Sequence, residues 1–342
     1  MKRTDRITLV ILLSFCFVGI MSPGTGYGAE KLVIKFSHNE AIGSIIDKAT
    51  QEFKARLETE TKGEIEVQLF PAGQMGKTEQ VAEMMKMGTL QMAIGSPANV
   101  SGIYPPLQIF DIPYMLPSSL DDVVKVINGR PAEMISAGLK KNNVLPLAFY
   151  TIGSKQYTCN SPIHKPEDFK GIKIRTMSSP TVMESFRVLG AQPVAIPYFE
   201  TYTALQLGTV AGEENPLHAI EQMKFHEVQK YIIISNHAPF ILLAYVNQKW
   251  FEGLPPDKQK AISDNIKGII PVVTKGSIED DHESLEKIKK YGKTEIIELT
   301  PESRKAFKEA LMPVRDKYVK TVGEEGAKLL ALFDEETAKY AK

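Results

Sequence analysis

The sequence from Asp168 to Pro216 reads DFKGIKIRTMSSPTVMESFRVLGAQPVAIPYFETYTALQLGTVAGEENP. It predicts a tight strand–helix–strand–helix–strand run, in which Ser179 is the N-cap of the first helix and Pro180 its first residue. Ligands of open α/β sheets bind beyond the carboxyl ends of the strands. Three polar side chains follow strand ends and are expected to converge on one cleft: Arg175, Tyr198 and Asn215.

The remainder of the chain continues this α/β alternation. Apolar strands and amphipathic helices alternate as β-α-β-α-β through the first hundred residues, which predicts a parallel sheet with helices on both faces. Apolar strands at 144–150 and 240–246 are predicted to cross between two domains, and one helix from about Asp257 to Lys290 to lie across both. The proline-rich, aromatic segment 104–114 favours a rigid surface loop over a ligand contact.

Length and charge limit the class of protein. The 342 residues suffice for two domains, and the 41 basic residues equal the 41 acidic ones, so no nucleic-acid partner is expected. Three basic residues precede a 14-residue apolar run, 7–20, which ends in a glycine-rich segment. This pattern predicts a signal peptide over residues 1–28, cleaved after Gly28 or Ala29, with an uncleaved anchor as the alternative.

No catalytic or metal-binding motif is recognisable. The six histidines lack paired ligand spacing, and Cys159 is the only cysteine beyond the apolar run, so it is expected to be a buried small hydrophobe. Adjacent Glu213 and Glu214 would point to opposite faces of an extended segment and cannot easily act on one bond. The sequence therefore favours a protein that is not an enzyme and needs no cofactor.

Several motifs in and around the opening stretch resemble those of one family. They are KGIKIR (170–175), LGAQP (189–193), an acidic–aromatic helix with TALQ (200–206) and GEENP (212–216), with FPAGQMG (70–76) and MGTLQM (87–92) upstream. The chain resembles the solute-binding proteins of TRAP (tripartite ATP-independent periplasmic) transporters, of the C4-dicarboxylate-binding type. The resemblance covers nearly the whole chain after residue 29.

The resemblance implies a periplasmic-binding-protein fold, with two α/β domains around a ligand cleft, joined by crossing strands and a long helix. We assign residues 29–152 and 241–280 to domain I, 153–240 and 281–308 to domain II, and 309–342 to helices packing across both. The implied function is capture of a small organic acid anion in the periplasm, by a monomer, for a TRAP permease of membrane subunits driven by an ion gradient. A binding protein for an ATP-driven importer and a secreted enzyme are the alternatives.

Arg175 is the ligand residue that is favoured both by its position at a strand end and by the family resemblance. Its planar guanidinium fits a carboxylate through two parallel hydrogen bonds, and the resemblance makes it the carboxylate-binding arginine. Asn215 offers a donor and an acceptor, and Tyr198 stands where the family has a stacking aromatic residue. Residues from first-domain strand ends are expected to line the opposite wall: Asn39, Ser96 and Asn99.

Lys155 marks a departure from the family pattern. Many members have an arginine in a G-x-R-x-x-T-N segment, whereas this chain has Lys155 after Gly153 and Ser154. We expect Lys155 to be a second, adaptable cation at the cleft. That position would favour hydroxylated, keto or sugar acids over succinate-like diacids, and Lys155→Arg would then change ligand ranking more than stability.

Overall fold

In the computed structural model, which describes residues 31–340, nine strands form a single mixed sheet. The strands are β1 Leu32–His38, β2 Ile65–Phe70, β3 Met92–Gly95, β4 Val144–Cys159, β5 Lys173–Thr176, β6 Gln192–Ala195, β7 Gly212–Asn215, β8 Tyr231–Asn247 and β9 Glu295–Glu298. Their order across the sheet is β2-β1-β3-β8-β4-β7-β5-β6, and β9 pairs with the amino-terminal part of β8. The predicted signal peptide lies outside the described residues.

Helices cover the sheet. They are α1 Ile45–Glu60, α2 Thr78–Met87, α3 Pro97–Val100, α4 Leu120–Ile127, α5 Arg130–Lys140, α6 Pro180–Val188, α7 Thr201–Gln206, α8 Leu217–Gln222, α9 Gln248–Glu252, α10 Pro256–Gly268, α11 Ile270–Tyr291, α12 Pro301–Leu311, α13 Pro313–Val322 and α14 Glu324–Ala338. Short 3-10 helices span Pro105–Asp111, Pro166–Phe169, Tyr198–Glu200 and Phe225–Glu227. The predicted N-cap of α6 is confirmed, because the Ser179 hydroxyl accepts from the Val182 N–H.

Two long antiparallel strands, β4 and β8, join the halves of the molecule. The carboxyl-terminal part of β8 pairs with β3, whereas the carboxyl-terminal part of β4 pairs with β7. We call β1–β3 with α1–α5 the first lobe, and β5–β7 and β9 with α6–α8 the second lobe. Each short strand cluster is parallel, as the βαβ pattern predicts, and the α/β class is confirmed.

The β4–β8 ladder is irregular where it passes between the lobes. Its register shifts between Thr151 and Ser154 and again between Lys155 and Tyr157. Gly153 has φ +100, and a Cβ there would lie 2.2 Å from Asp281 Oδ2 of α11, so only glycine fits without a shift. The domain limit expected between residues 152 and 153 lies at this irregularity; the domain limits themselves stay a prediction.

A proline divides the one long helix that the apolar pattern predicted to be continuous. The helix expected from Asp257 to Lys290 is two helices, α10 and α11, because Pro271 has no N–H to donate to the carbonyl four residues earlier. The segment still contacts both lobes. Gly276 of α11 faces Ile45 of α1, and Asp281 of α11 contacts His218 of α8.

The segment 104–114 is not the surface loop that its prolines suggested. Most of it is a buried 3-10 helix, Pro105–Asp111. The reason lies in its apolar residues, since Phe110 packs edge-on against Phe333 of α14 at 5.5 Å. The Tyr318 hydroxyl of α13 donates to the Pro106 carbonyl at 2.9 Å. The carboxyl-terminal helices therefore cover this segment and exclude solvent from it.

Candidate functional site

A cavity of about 670 Å³ opens where the strand ends of the two lobes meet. Its volume is in the range of small-molecule sites. From the first lobe it is lined by Asn39, Glu40, Lys77, Thr78, Ser96 and Asn99. From the second lobe and β8 it is lined by Arg175, Met177, Ile196, Tyr198, Asn215 and Phe240. We call this cavity the cleft. Six of the seven predicted ligand residues line it.

Arg175 lies within β5 and is only 3% exposed. Its Nε donates to the Ile196 carbonyl at 2.9 Å, which orients the guanidinium. Within residues 31–340, no carboxylate oxygen lies within 4.0 Å of that group. Burial lowers the pKa of Arg175, and the field of Glu213 opposes this shift. Since arginine stays charged in proteins, the cleft contains a desolvated cation that is not neutralised by direct contact.

Asn215 ends β7 and holds a fixed amide orientation. Its Nδ2 donates to the Glu213 carboxylate, which also accepts from the Thr158 hydroxyl at 3.0 Å. Burial raises the pKa of Glu213 to about 7, although both hydrogen bonds and Arg175 favour its charged form. With Nδ2 engaged in this way, the Asn215 carbonyl oxygen and the remaining amide hydrogen are the groups it can offer a ligand.

The other predicted residues give the cleft polar walls. Asn39 Nδ2 donates to the Thr78 hydroxyl at 2.7 Å, and Ser96 Oγ lies 3.7 Å from Met177 Sδ across the lobes. Asn99 presents a buried Oδ1 that has no partner among residues 31–340. Tyr198 is half-buried, with its ring edge-on to Phe199 at 5.3 Å. All four residues are positioned at the cleft as the strand-end argument anticipated.

Lys155 does not line the cleft, which corrects the position expected for it. It is 2% exposed, and its Nζ lies 3.0 Å from Glu214 Oε1 and 3.5 Å from Asp111 Oδ1. The ring centroid of Phe240, which does line the cleft, lies 5.6 Å from Lys155 Nζ. The positive charge is thus neutralised by buried carboxylates, and the preference for hydroxylated acids that relied on Lys155 loses its basis.

Lys155 belongs to a buried polar cluster, made of Asp111, Lys155, Ser179, Glu214 and His237. His237 Nε2 lies 2.8 Å from Glu214 Oε2, and the Ser179 hydroxyl donates to Asp111 Oδ2 at 2.8 Å. Burial alone would raise the pKa of Glu214, but the charge of Lys155 and the His237 hydrogen bond hold it at about 2. The cluster connects β4, β7 and β8 behind the cleft.

Sequence reasoning missed several residues that line the cleft, and two of them matter for ligand binding: Glu40 and Phe240. Glu40 follows Asn39 in the loop after β1, and its place just beyond a strand end is the sequence signal that could have identified it. Phe240 lies within β8, and nothing in an apolar strand pattern indicates that its ring faces a cavity. An aromatic face beside Arg175 suits the flat or apolar part of a ligand.

Cys159 is fully buried, as expected, and burial raises the pKa of its thiol. Among residues 31–340, no group of three or more His, Cys, Asp or Glu side chains is arranged to hold a metal ion. No helix in that range has both the length and the apolar character to cross a bilayer.

Comparisons with known proteins agree with this architecture. The model for bacterial extracellular solute-binding protein family 7 matches residues 36–321. The C4-dicarboxylate-binding periplasmic protein DctP of Rhodobacter capsulatus is 32% identical over 87% of this chain and 89% of its own length. The ectoine-binding periplasmic protein TeaA of Halomonas elongata is 31% identical over 94% of this chain and 95% of its own.

A solved structure supports the same assignment. The TRAP periplasmic solute-binding protein of Desulfovibrio salexigens, determined with bound orotic acid, superposes with a TM-score of 0.87 at 31% identity. The superposition covers 91% of this chain and 100% of that one. The chain therefore belongs to family 7 of the bacterial extracellular solute-binding proteins and is of the TRAP transporter type.

Proposed function

We propose that this protein captures a small organic acid in the periplasm, holds its carboxylate on Arg175 and delivers it to a TRAP permease driven by an ion gradient. The single observation that carries the proposal is the buried, oriented and unneutralised guanidinium in the cleft. A desolvated cation without a counter-ion is costly, and a ligand carboxylate removes that cost. The protein acts as a monomer without a cofactor and catalyses no reaction.

The remaining cleft residues have complementary roles in this proposal. Asn215 bonds the second carboxylate oxygen or a neighbouring hydroxyl, and the rings of Tyr198 and Phe240 pack on the ligand skeleton. Asn39, Ser96 and Asn99 contact the ligand from the first lobe. Since both lobes then touch one molecule, ligand stabilises a closed arrangement of the lobes. Cleavage of residues 1–28 releases the mature protein into the periplasm.

The relatives described above have similar sequence identities to this chain, and together they do not indicate which acid it binds. The names of the two relatives above refer to C4-dicarboxylates and to ectoine, and the solved structure contains bound orotic acid. The carboxylate-binding role is therefore tested on the arginine itself. Loss of a charged hydrogen bond to a buried group costs roughly 1.5–3 kcal/mol. Arg175→Ala should thus weaken binding of a stabilising carboxylate about 10- to 150-fold in calorimetry.

Two further variants make this test specific. Arg175→Lys keeps the charge and loses the paired geometry, so it should retain part of the affinity. Arg187→Ala removes an exposed arginine of α6 and should leave affinity unchanged. Unchanged affinity in Arg175→Ala, or stabilisation of the wild type by neutral sugars alone, would contradict the proposal.

A further inference from the structure

Glu40 is a second unneutralised charge in the cleft. It lies in the loop between β1 and α1, and it is half-buried at the cavity wall. Its carboxylate makes no hydrogen bond or ion pair with residues 31–340, whereas neighbouring Asn39 bonds Thr78 and His38 lies near Asp47. Burial raises the pKa of Glu40, and His218 of α8 opposes that shift. A carboxylate without a partner is therefore held at the ligand surface.

The charges around the cavity do not favour a second anionic group. Two cations line it, Lys77 and Arg175, against three acids, Glu40, Glu79 and Glu200. Lys77 lies 3.9 Å from Glu200, so those two exposed charges offset each other. Glu79 is exposed to solvent. The desolvated charges that remain are one cation and one anion, Arg175 and Glu40.

We propose that the ligand is a zwitterion, whose carboxylate binds Arg175 and whose ammonium or other cationic nitrogen group binds Glu40. This inference rests on the proposed function, because it takes the Arg175 carboxylate contact as given. Glu40 comes from the first lobe and Arg175 from β5 of the second. One ligand that carries both charges therefore neutralises one charged side chain from each lobe. A dicarboxylate would satisfy Arg175 and place its second charge in a cavity whose lining is already acidic by one charge.

The chemical group that a ligand presents to Glu40 determines how tightly that ligand should bind. A cationic nitrogen donates hydrogen bonds to a carboxylate in which both partners are charged, so Coulomb attraction adds to the hydrogen bond. A hydroxyl gives Glu40 a donor without charge, and a carboxylate gives it repulsion. Among ligands that differ only in the group far from Arg175, affinity should therefore be highest with an ammonium, lower with a hydroxyl and lowest with a carboxylate.

The experiment uses the mature protein and matched trios of carboxylic acids with four to eight carbons. The three members of each trio share one skeleton and carry an ammonium, a hydroxyl or a second carboxylate at the far end. Thermal shift finds the skeleton that fits, and calorimetry measures the dissociation constants. The wild type should bind the ammonium member at least tenfold more tightly than its hydroxyl partner, and the dicarboxylate most weakly.

Two variants assign the preference to Glu40. Glu40→Gln should reduce the ammonium preference to below threefold, since the amide keeps the shape and loses the charge. Glu83→Gln makes the same change of net charge on the exposed face of α2, outside the cleft, and should leave the preference intact. A preference that survives Glu40→Gln overturns the assignment.

The outcomes separate this inference from the proposed function. If ammonium members fail to stabilise the wild type, or bind no better than hydroxy acids or dicarboxylates, the zwitterion is overturned. The proposed function stands in that case as long as the acids that bind lose affinity in Arg175→Ala. If only molecules without a carboxylate bind, both are overturned.

Discussion

Lys155→Met tests whether Lys155 is a structural cation and not a ligand residue. The substitution keeps the length and apolar stem of the side chain, so packing changes little. It leaves Glu214 and Asp111, which are 6% exposed, without the charge that lies 3.0 and 3.5 Å from them. Removing one partner of a buried ion pair costs roughly 3–5 kcal/mol. For a chain of 342 residues, whose entropy of unfolding is about 2.1 cal/mol/K per residue, that loss lowers the Tm by roughly 4–7 °C.

Burial, and not the ion-pair distance, is the source of this magnitude. Lys125 lies 2.8 Å from Asp122, closer than Lys155 lies to Glu214, but its side chain is 58% exposed. An exposed pair contributes about 0–1 kcal/mol. Lys125→Met should therefore lower the free energy of unfolding far less than Lys155→Met does. Urea unfolding of both variants at pH 7 gives the comparison.

The loss in Lys155→Met should also depend on pH. The folded-state pKa of Glu214 is held at about 2, below its ordinary value of 4.5. A depressed carboxyl pKa stabilises the fold above pH 4.5, and that stabilisation is lost as the pH falls toward 2. The gap between wild type and Lys155→Met should therefore be widest at neutral pH and narrow on acidification. Equal losses in the two lysine variants, or a gap independent of pH, would refute the structural role.

Other predictions concern titration and the lobe junction. Glu213, whose pKa is raised to about 7, loses its proton as the pH rises through 7 and then repels an anion on Arg175, so affinity should fall between pH 6 and 8. Calorimetry of Glu213→Gln should show a flatter profile; a flat wild-type profile would contradict this. Gly153→Ala should lower the free energy of unfolding by more than the roughly 1–3 kcal/mol that a strained backbone alone costs, because the new Cβ also meets Asp281. Gly63→Ala has a similar φ of +77 and no neighbour within 4 Å, so chemical denaturation should show a smaller loss; equal losses would exclude the Asp281 contact as the cause.

Local signals were enough to predict most of the elements. Helix α2 ends at Met87 because Gly88 adopts the left-handed conformation that ends a helix, and a glycine after an amphipathic stretch is a signal visible in the sequence. The long strands β4 and β8 were predicted only in pieces. Gly153 and Pro239 are typical of breaks, but the ladder accommodates both at a register shift, and the strands continue.

Residues of the candidate site were predictable where the end of a strand determines the position of the side chain. Arg175 and Asn215 belong to short parallel strands whose ends meet at one edge of the sheet, so their convergence follows from topology. The direction of Lys155 does not follow in this way. It lies between two register shifts, so alternation cannot be counted through it. Asp111, its partner from a distant 3-10 helix, becomes a neighbour only in the folded chain.

The order of strands in the sheet affects how the chain folds as it is synthesised. Strand β3 lies between β1 and β8, and Met92 pairs with Val246, far along the chain. The first lobe therefore keeps an open strand edge until the ribosome has made β8. Pairing over such a sequence separation is slow, because the entropy of loop closure is lost before the contacts form. A nascent chain of this topology should therefore stay unfolded for longer, which favours the export proposed above, because a narrow membrane channel admits only an unfolded polypeptide.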